Sequence, residues 1–168
     1  MHRAQDIDLG DGIEPLDIID IDDISSLLSE QILANPYYSE LARRNEAELV
    51  NSRQLKKMIE EDPFSVLVSK SEEGIVTGVV VNKFDCNTRW LSWIIVRPGY
   101  RRSKYGSSLI AALKRIAIHT ECHKIWCDSR PTNTESIQLL KKMGFRELVK
   151  LNNHWYRLDF ILLECNLI

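Results

Sequence analysis

Apolar residues recur at intervals of three and four over the first third of the chain, which predicts amphipathic helices. Asp22 or Asp23 is placed to cap the first helix. Prolines at positions 36 and 63 limit the helices here, because proline and the residue before it disfavour helical backbone. The predicted helices cover residues 22–34, part of 37–50, and a segment that begins at Ser52 and stops at Asp62.

The pattern then changes to an interval of two with many β-branched residues, which predicts strands. The strand from Trp90 to Val96 is apolar at nearly every position, so we expect it to be buried on both faces. A capping-box pattern from Thr132 to Glu135 opens the last predicted helix, and Gly144 closes it. The predicted elements are strands at 64–69, 75–83 and 90–96, a helix at 105–119, a strand at 124–128, a helix up to 144, and strands at 145–151 and 155–164.

This order of elements predicts an α/β (α+β) domain with a mixed, mostly antiparallel central sheet flanked by helices. The strands at 90–96 and 124–128 are joined by a helical crossover, so they are expected to form the parallel pair of the sheet. The N-terminal segment is rich in aspartate and precedes the first helical pattern. We therefore expect residues 1–16 to form an acidic, flexible arm and residues 17–168 to form a single domain.

Composition narrows the classes of function. The 168 residues carry 22 basic and 24 acidic side chains, a formal net charge of −2 that gives no sign of a nucleic-acid or membrane-surface partner. No apolar run approaches the roughly 18–20 residues that a membrane span needs. Four cysteines without a CxxC pair, and a start without an apolar leader, favour a reducing, cytoplasmic location. His and Cys between residues 119 and 127 fit no standard zinc spacing, so no metal is expected.

The most informative segment joins the predicted buried strand to the helix after it. It contains Arg101, Arg102 and Lys104, followed by Gly106 at the start of the helix. The first amides of a helix lack intrahelical partners and form an anion site with the helix dipole. Basic side chains oppose that dipole unless an anion is bound, and glycine lets backbone approach a ligand closely. The segment therefore predicts a pyrophosphate site, although it matches neither the P-loop nor the dinucleotide-binding glycine pattern.

Two motifs in this order resemble the GNAT family of N-acetyltransferases. The first is Val96-x-Pro98-x-Tyr100 followed by Arg101-x-x-Lys104-x-Gly106, between a strand and a helix. The second is Asn133, a few residues beyond the next strand, followed by a helix that ends in Gly-Phe. The resemblance covers about residues 52–164.

The resemblance implies a site for acetyl-CoA, a co-substrate with an adenosine pyrophosphate and a thioester arm. Backbone groups at the end of the buried strand would hold the pantetheine, and amides of the next turn would hold the pyrophosphate. Asn133 would bind the coenzyme arm from the second helix. The implied cofactor-binding residues are Ile94, Ile95, Val96, Arg101, Arg102, Ser103, Lys104, Tyr105, Gly106, Ser107 and Asn133.

Two departures from the family pattern stand out. Lys104 occupies the place of the first loop glycine, which is harmless only if its φ is negative. Leu140 occupies the place where many members have a tyrosine that protonates the departing thiolate, and leucine has no proton to give. The replacement catalytic groups we consider are Tyr156, His154 and Ser129, with Asp128 beside Ser129 at the end of its strand.

The sequence thus predicts an acyl-CoA-dependent N-acyltransferase that passes an acetyl group to a primary amine by direct attack in a ternary complex. The acceptor is left open between a protein N-terminus, a lysine and a small molecule. The alternatives are a catalytically degenerate acyl-CoA-binding sensor or scaffold, and an interaction domain without a ligand. The expected partners are acyl-CoA and an amine acceptor, without nucleic acid or membrane. Members of this family often pair, so the resemblance also implies a possible homodimer.

Overall fold

The computed structural model describes residues 7–167 of the chain. Five α-helices run over α1 Ile21–Leu33, α2 Glu40–Glu48, α3 Ser52–Glu61, α4 Tyr105–His119 and α5 Thr134–Lys142. Seven strands run over β1 Ile13–Pro15, β2 Val66–Lys70, β3 Val76–Asp85, β4 Thr88–Val96, β5 Lys124–Ser129, β6 Arg146–Leu151 and β7 Phe160–Asn166. The mixed α/β class that the sequence predicts is confirmed.

All seven strands belong to one sheet in the order β1-β2-β3-β4-β5-β7-β6. Neighbouring strands are antiparallel except β4 and β5, which are parallel and joined through α4. The predicted parallel pair is therefore confirmed. A crossover helix of this kind carries the chain across one face of the sheet and returns it to a parallel neighbour.

The two central strands pair over only part of their length. Leu91 of β4 pairs with Cys127 of β5 in the last step of the parallel register, although β4 continues to Val96. Ser92, next in β4, has no partner in β3, where the register shifts. A bulge of this kind bends and twists its strand, so β4 turns away from β5 after Leu91. An open slot results between the ends of the two strands.

The core has one layer on each face of the sheet. Side chains alternate across β3, so Val80 packs with α4 on one face while Val79 and Val81 pack with α1 and α3 on the other. Leu109 and Leu113 of α4 are fully buried. The helices thus hold the sheet firmly where β4 and β5 separate.

The expectation of an acidic arm over residues 1–16 is wrong for most of the segment; residues 1–6 lie outside the described residues. Residues Ile13–Pro15 pair with β2 as the edge strand of the sheet. Leu9 and Leu16 are buried, and Arg115 of α4 donates a hydrogen bond of 2.8 Å to the carbonyl oxygen of Leu9. The sequence did not predict this short strand because acidic residues alternate with apolar ones along it. The acidic side chains face outward, and the apolar ones are buried.

Three local predictions also need correction. Trp155–Arg157 forms a short 3-10 turn, so the last strand begins at Phe160 rather than at Trp155. The last helix is capped by Asn133 and not by Thr132. In β4, Ser92 is exposed and Trp93 partly exposed, so the strand is not buried on both faces. Both of these β4 residues line cavities described next.

Candidate active site

A cleft of about 780 Å³ lies where β4 and β5 separate. Its walls come from the end of β4, the end of β5, the start of α4, α5 and the connection between α1 and α2. Backbone groups of β4 beyond Leu91 face this cleft without a β5 partner. The lining residues that the sequence predicted for the cofactor are Ile94, Ile95, Val96, Arg101, Arg102, Ser103, Gly106 and Asn133.

The turn before α4 lies at the mouth of this cleft. Arg102 has a left-handed backbone with φ of 58°, and Lys104 caps the helix with φ of −71°. The negative φ removes the steric objection to lysine in the place of the family glycine. The side chains of Arg102 and Lys104 are exposed and make no hydrogen bond or ion pair with any residue in the range 7–167. Two unneutralised cations therefore lie beside the free amides of α4, an arrangement that fits a pyrophosphate.

The other predicted members of this turn have different surroundings. The hydroxyls of Ser103 and Ser107 donate to the carbonyl oxygens of Tyr100 and Lys104, so these side chains are already occupied. Lys104, Tyr105 and Ser107 do not line the cleft. Any contact from Ser103 or Ser107 to an anion would therefore come from backbone amides.

Arg101 connects the turn to the rest of the fold. Its Nε donates to the carbonyl oxygen of Val96 at 3.2 Å, and its Nη2 donates to Oε1 of Gln31 at 3.0 Å. The guanidinium thus links the turn to the end of β4 and to α1. Arg101 was predicted to bind the cofactor directly, and these contacts give it a positioning role as well.

Gly106 and Asn133 bring α4 and α5 close together at the cleft. A Cβ on Gly106 would lie 3.1 Å from Cδ2 of Leu139 and 3.6 Å from Cγ2 of Val96, so glycine permits the close approach. Asn133 caps α5, because its Oδ1 accepts the backbone N–H of Ser136 at 3.3 Å. Capping uses the oxygen, which leaves the amide nitrogen of Asn133 as the group able to contact a ligand in the cleft.

A second, larger cavity of about 1160 Å³ adjoins the first. Four residues line both cavities: Tyr38, Ser92, Trp93 and Asp128. Ser92 is the bulged residue of β4, and Asp128 is the first residue of β5 beyond the parallel register. The point where β4 and β5 separate is therefore also the point where the two cavities meet.

The partly buried carboxylate of Asp128 has a raised pKa. Burial, together with the negative charge of Glu46, raises the pKa of Asp128 to about 7. Tyr38 lies beside it, and burial together with the charges of Asp128 and Glu46 raises the pKa of the Tyr38 phenol. Asp128 can therefore exchange a proton near neutral pH, while Tyr38 remains a neutral hydroxyl.

Tyr156 reaches this junction from the connection between β6 and β7. Its hydroxyl donates to Oε1 of Glu46 at 2.9 Å, which ties the connection to α2. Burial and this hydrogen bond raise the pKa of Tyr156 to about 12. Tyr156 lines the larger cavity, but it lies on a turn and not at the start of a strand as the sequence predicted.

The other predicted catalytic residues differ in position. Ser129 is buried at the cofactor cleft, and its hydroxyl faces the carbonyl oxygen of Arg130 at 3.4 Å. His154 is exposed, lines neither cavity and has its ring 4.3 Å from that of Trp155. Leu140, in the place of the family tyrosine, is buried in the core and also lines the cofactor cleft.

Sequence reasoning missed Tyr38 and Glu46. They come from the α1–α2 connection and α2, roughly 80 residues or more before Asp128, and no motif surrounds either of them. Only the fold brings them to the junction. Asp128 had a signal in the sequence, since polar residues at the end of a strand in a parallel pair commonly face a site.

A splayed parallel pair, with a basic turn and free helix amides at the mouth of its cleft, is the arrangement that the sequence led us to expect of an acyl-CoA-binding protein. The sequence profile of the acetyltransferase (GNAT) family matches residues 28–145, and the chain belongs to this family. No curated protein matches the chain in sequence.

Solved structures of the same fold are numerous and distant in sequence. A GNAT-family acetyltransferase from Streptococcus pneumoniae superposes with a TM-score of 0.78 at 16% identity, covering 93% of this chain and 98% of that one. PaiA N-acetyltransferase from Thermoplasma acidophilum, in complex with coenzyme A, gives 0.76 at 18% identity, with 92% and 97% covered. YncA, a putative acetyltransferase from Salmonella typhimurium with acetyl-CoA, gives 0.70 at 22% identity, with 93% of each covered. These likenesses establish the fold.

Two further observations concern residues 7–167. None of the helices in this range is both long and apolar enough to cross a membrane. The same range contains no group of three or more His, Cys, Asp or Glu side chains arranged to hold a metal ion.

Proposed function

We propose that the protein is an N-acetyltransferase that moves the acetyl group of acetyl-CoA to a primary amine by direct attack in a ternary complex. The observation that carries the proposal is the meeting of two cavities at Asp128 and Ser92, where β4 and β5 separate. One cavity has an anion-binding turn at its mouth and fits the cofactor. The other leads to the same point from the opposite side and fits an acceptor.

The chain's residues have distinct tasks in this proposal. Amides at the start of α4, with Arg102 and Lys104, hold the pyrophosphate. Unpaired backbone groups at the end of β4 hold the extended pantetheine arm, in the manner of an added strand. Bound acetyl-CoA supplies the acetyl group as a thioester. The backbone N–H of Val96, which faces away from β3, stabilises negative charge on the acetyl oxygen during transfer.

Proton transfer falls to Asp128. An aliphatic amine is protonated at neutral pH and attacks only after it loses a proton. The Asp128 carboxylate, with its pKa near 7, takes that proton at the junction of the cavities. The C–N bond then forms as the C–S bond breaks, and the second amine proton passes to the departing thiolate to give the free thiol of coenzyme A. That thiolate has an ordinary conjugate pKa of about 8.5, so it leaves without a strong acid. Leu140 is therefore compatible with turnover.

A second function has one observation in its favour. Leu140 stands where many family members have their acid, and it is 2% exposed in the core. A chain that binds acyl-CoA without chemistry, as a sensor or scaffold, would have no need for that acid. In such a protein the proton exchange that Asp128 can perform near neutral pH would serve no reaction.

Calorimetry and a thiol-release assay separate these functions. We expect saturable binding of CoA and of acetyl-CoA, and amine-dependent release of free thiol across a panel of primary amines. Binding without thiol release from any amine would support the sensor. Absence of binding at millimolar CoA would overturn both.

A further inference from the structure

Two of the carboxylates that line the larger cavity, Glu46 and Asp128, have no ion pair among the described residues. Asp128 and Glu46 interact strongly enough for Glu46 to raise the pKa of Asp128. Neither carboxylate forms an ion pair with a side chain in the described range 7–167. Two like charges at a partly buried site repel each other unless a cation lies between them.

Arg130 does not supply that cation. Arg130 lies close enough to lower the pKa of Tyr38, which opposes the effect of the carboxylates. Its Nε donates to the carbonyl oxygen of Tyr37 at 2.9 Å, and its Nη1 donates to that of Asp159. The guanidinium is therefore held by two backbone carbonyls and by the ring of Phe160, whose centroid lies 5.3 Å away, and it forms no ion pair with Glu46 or Asp128.

Aromatic rings line the same part of the cavity. The ring of Tyr38 lies 5.7 Å from that of Trp93 and 6.1 Å from that of Phe160, and Trp155 lies 5.2 Å from Phe160. Aromatic faces attract cations within about 6 Å, and they also pack against the carbon atoms next to an amine. Rings and carboxylates together favour an organic cation over a metal ion.

The position of the Glu46 carboxylate is maintained at a conformational cost. Tyr156, whose hydroxyl donates to Glu46, has φ of 55° and ψ of 23°, and Arg157 after it has φ of 58°. Two consecutive left-handed residues other than glycine cost about 1 kcal/mol or more each and persist where the surroundings require them. The turn thereby aims the Tyr156 hydroxyl at Glu46.

We propose that Glu46 and Asp128 bind the acceptor as its ammonium ion, and that Tyr156 is a positioning residue for Glu46. This inference rests on the proposed function and narrows its substrate class to amines that are cations at neutral pH, with carbon next to the nitrogen packed on the rings. Arylamines and hydroxylamines, which are neutral there, are excluded. Asp128 then removes the proton that Glu46 has helped to bind, and the free amine attacks.

Binding of two similar amines to the CoA-loaded protein tests the inference without any turnover. Benzylamine is a cation at neutral pH, and aniline is neutral with nearly the same ring. We expect benzylamine to bind the CoA complex about tenfold more tightly than aniline in calorimetry, as a charge-assisted contact requires. Equal affinity, tighter binding of aniline, or binding of neither amine would overturn the inference and leave CoA binding intact.

Variants of α2 and Tyr156 assign the effect to residues. Glu46→Gln should remove most of the preference for benzylamine, and Tyr156→Phe should remove part of it by releasing the Glu46 carboxylate. Glu48→Gln is the matched control, because Glu48 lies on the same helix and is exposed outside both cavities. A Glu46→Gln protein that keeps the full preference would overturn the inference. The affinity for CoA should be unchanged in all three variants, which confirms that each is folded.

Where thiol release is measurable, kinetics give a second test. Glu46→Gln should raise KM for benzylamine about tenfold with a smaller change in kcat, since Glu46 binds the cation and does not take its proton. A loss confined to kcat would contradict this division of tasks. Absence of thiol release with any amine would instead overturn the proposed function, because the binding experiment tests the cation site separately.

Discussion

Leu91 pairs with Cys127 in the last step of the parallel register, and the next residue on each strand, Ser92 and Asp128, lies at the junction of the two cavities. The separation of the strands therefore fixes where a thioester and an amine could meet. It also places the carboxylate of Asp128 there without any motif around it.

Asp128→Asn should lower kcat by about a hundredfold or more, because the amide cannot accept a proton from the bound ammonium. The affinity for CoA should be unchanged, since in the proposed site the cofactor is held by Asn133 and the α4 turn. The measurement is thiol release at saturating acetyl-CoA. Asp23→Asn, an exposed aspartate on α1, is the control and should keep full activity. An active Asp128→Asn protein would show that water or another group takes the proton.

The pH dependence of kcat/KM should follow Asp128. Its pKa is raised to about 7, so the carboxylate is protonated and inactive at lower pH, and kcat/KM should rise to a plateau as the pH increases through 7. Glu46 contributes to that rise in pKa, so Glu46→Gln should move the inflection to lower pH. Tyr38, a further ionisable neighbour, stays neutral throughout because its pKa is raised. A kcat/KM that stays constant from about pH 6 to about pH 8, roughly one unit on either side of that pKa, would exclude Asp128 as the group that accepts the proton.

Arg102→Ala combined with Lys104→Ala should weaken CoA binding at least about tenfold, because both cations lie beside the free amides of α4. Calorimetry with CoA measures the loss, which should shrink at high salt as screening increases. Arg53→Ala with Lys56→Ala removes the same charge from the exposed face of α3 and should leave the affinity unchanged. Equal effects of the two double substitutions would mean that the affinity for CoA depends on the net charge of the protein and not on the positions of Arg102 and Lys104.

Asp62→Asn should lower the free energy of unfolding by about 2 kcal/mol. This is somewhat less than the cost of breaking a fully buried ion pair, because Asp62 is partly exposed. Arg89 is 1% exposed and donates to Asp62 at 2.8 Å and to Asn82 at 2.7 Å, so the variant leaves its charge buried without a counter-charge. Chemical denaturation measures the change. Lys57→Gln breaks an exposed ion pair to Glu61 of 3.8 Å and should change stability by less than about 0.5 kcal/mol.

The cofactor half of the site could be predicted from the sequence because it is local. Val96, the basic turn and α4 follow each other within a few residues, and the helix over Tyr105–His119 has the predicted bounds. Hydrophobic spacing identifies such elements reliably, and motifs assign them to a family. The bulge at Ser92 could not be predicted, since it depends on the register with β3.

The acceptor half could not be predicted because it is assembled from distant segments. Tyr156 was placed on a strand, since the aromatic and apolar residues from Trp155 have strand character. Two left-handed residues in succession break that pattern, and the tertiary contact with Glu46 decides the conformation instead of the local preference. Glu46 itself looked like an ordinary charged residue on the surface of a helix.

The edge strand Ile13–Pro15 has a consequence for handling the protein. Its pairing covers the backbone of Val66–Lys70, and Lys70 forms ion pairs with Glu14 and Asp20. Trimming the chain at residue 16 would expose that backbone as an open row of donors and acceptors, together with apolar surface that Ile13 now covers. We expect copies of such a shortened protein to pair through this exposed edge and to aggregate, so the strand Ile13–Pro15 protects the sheet against self-association.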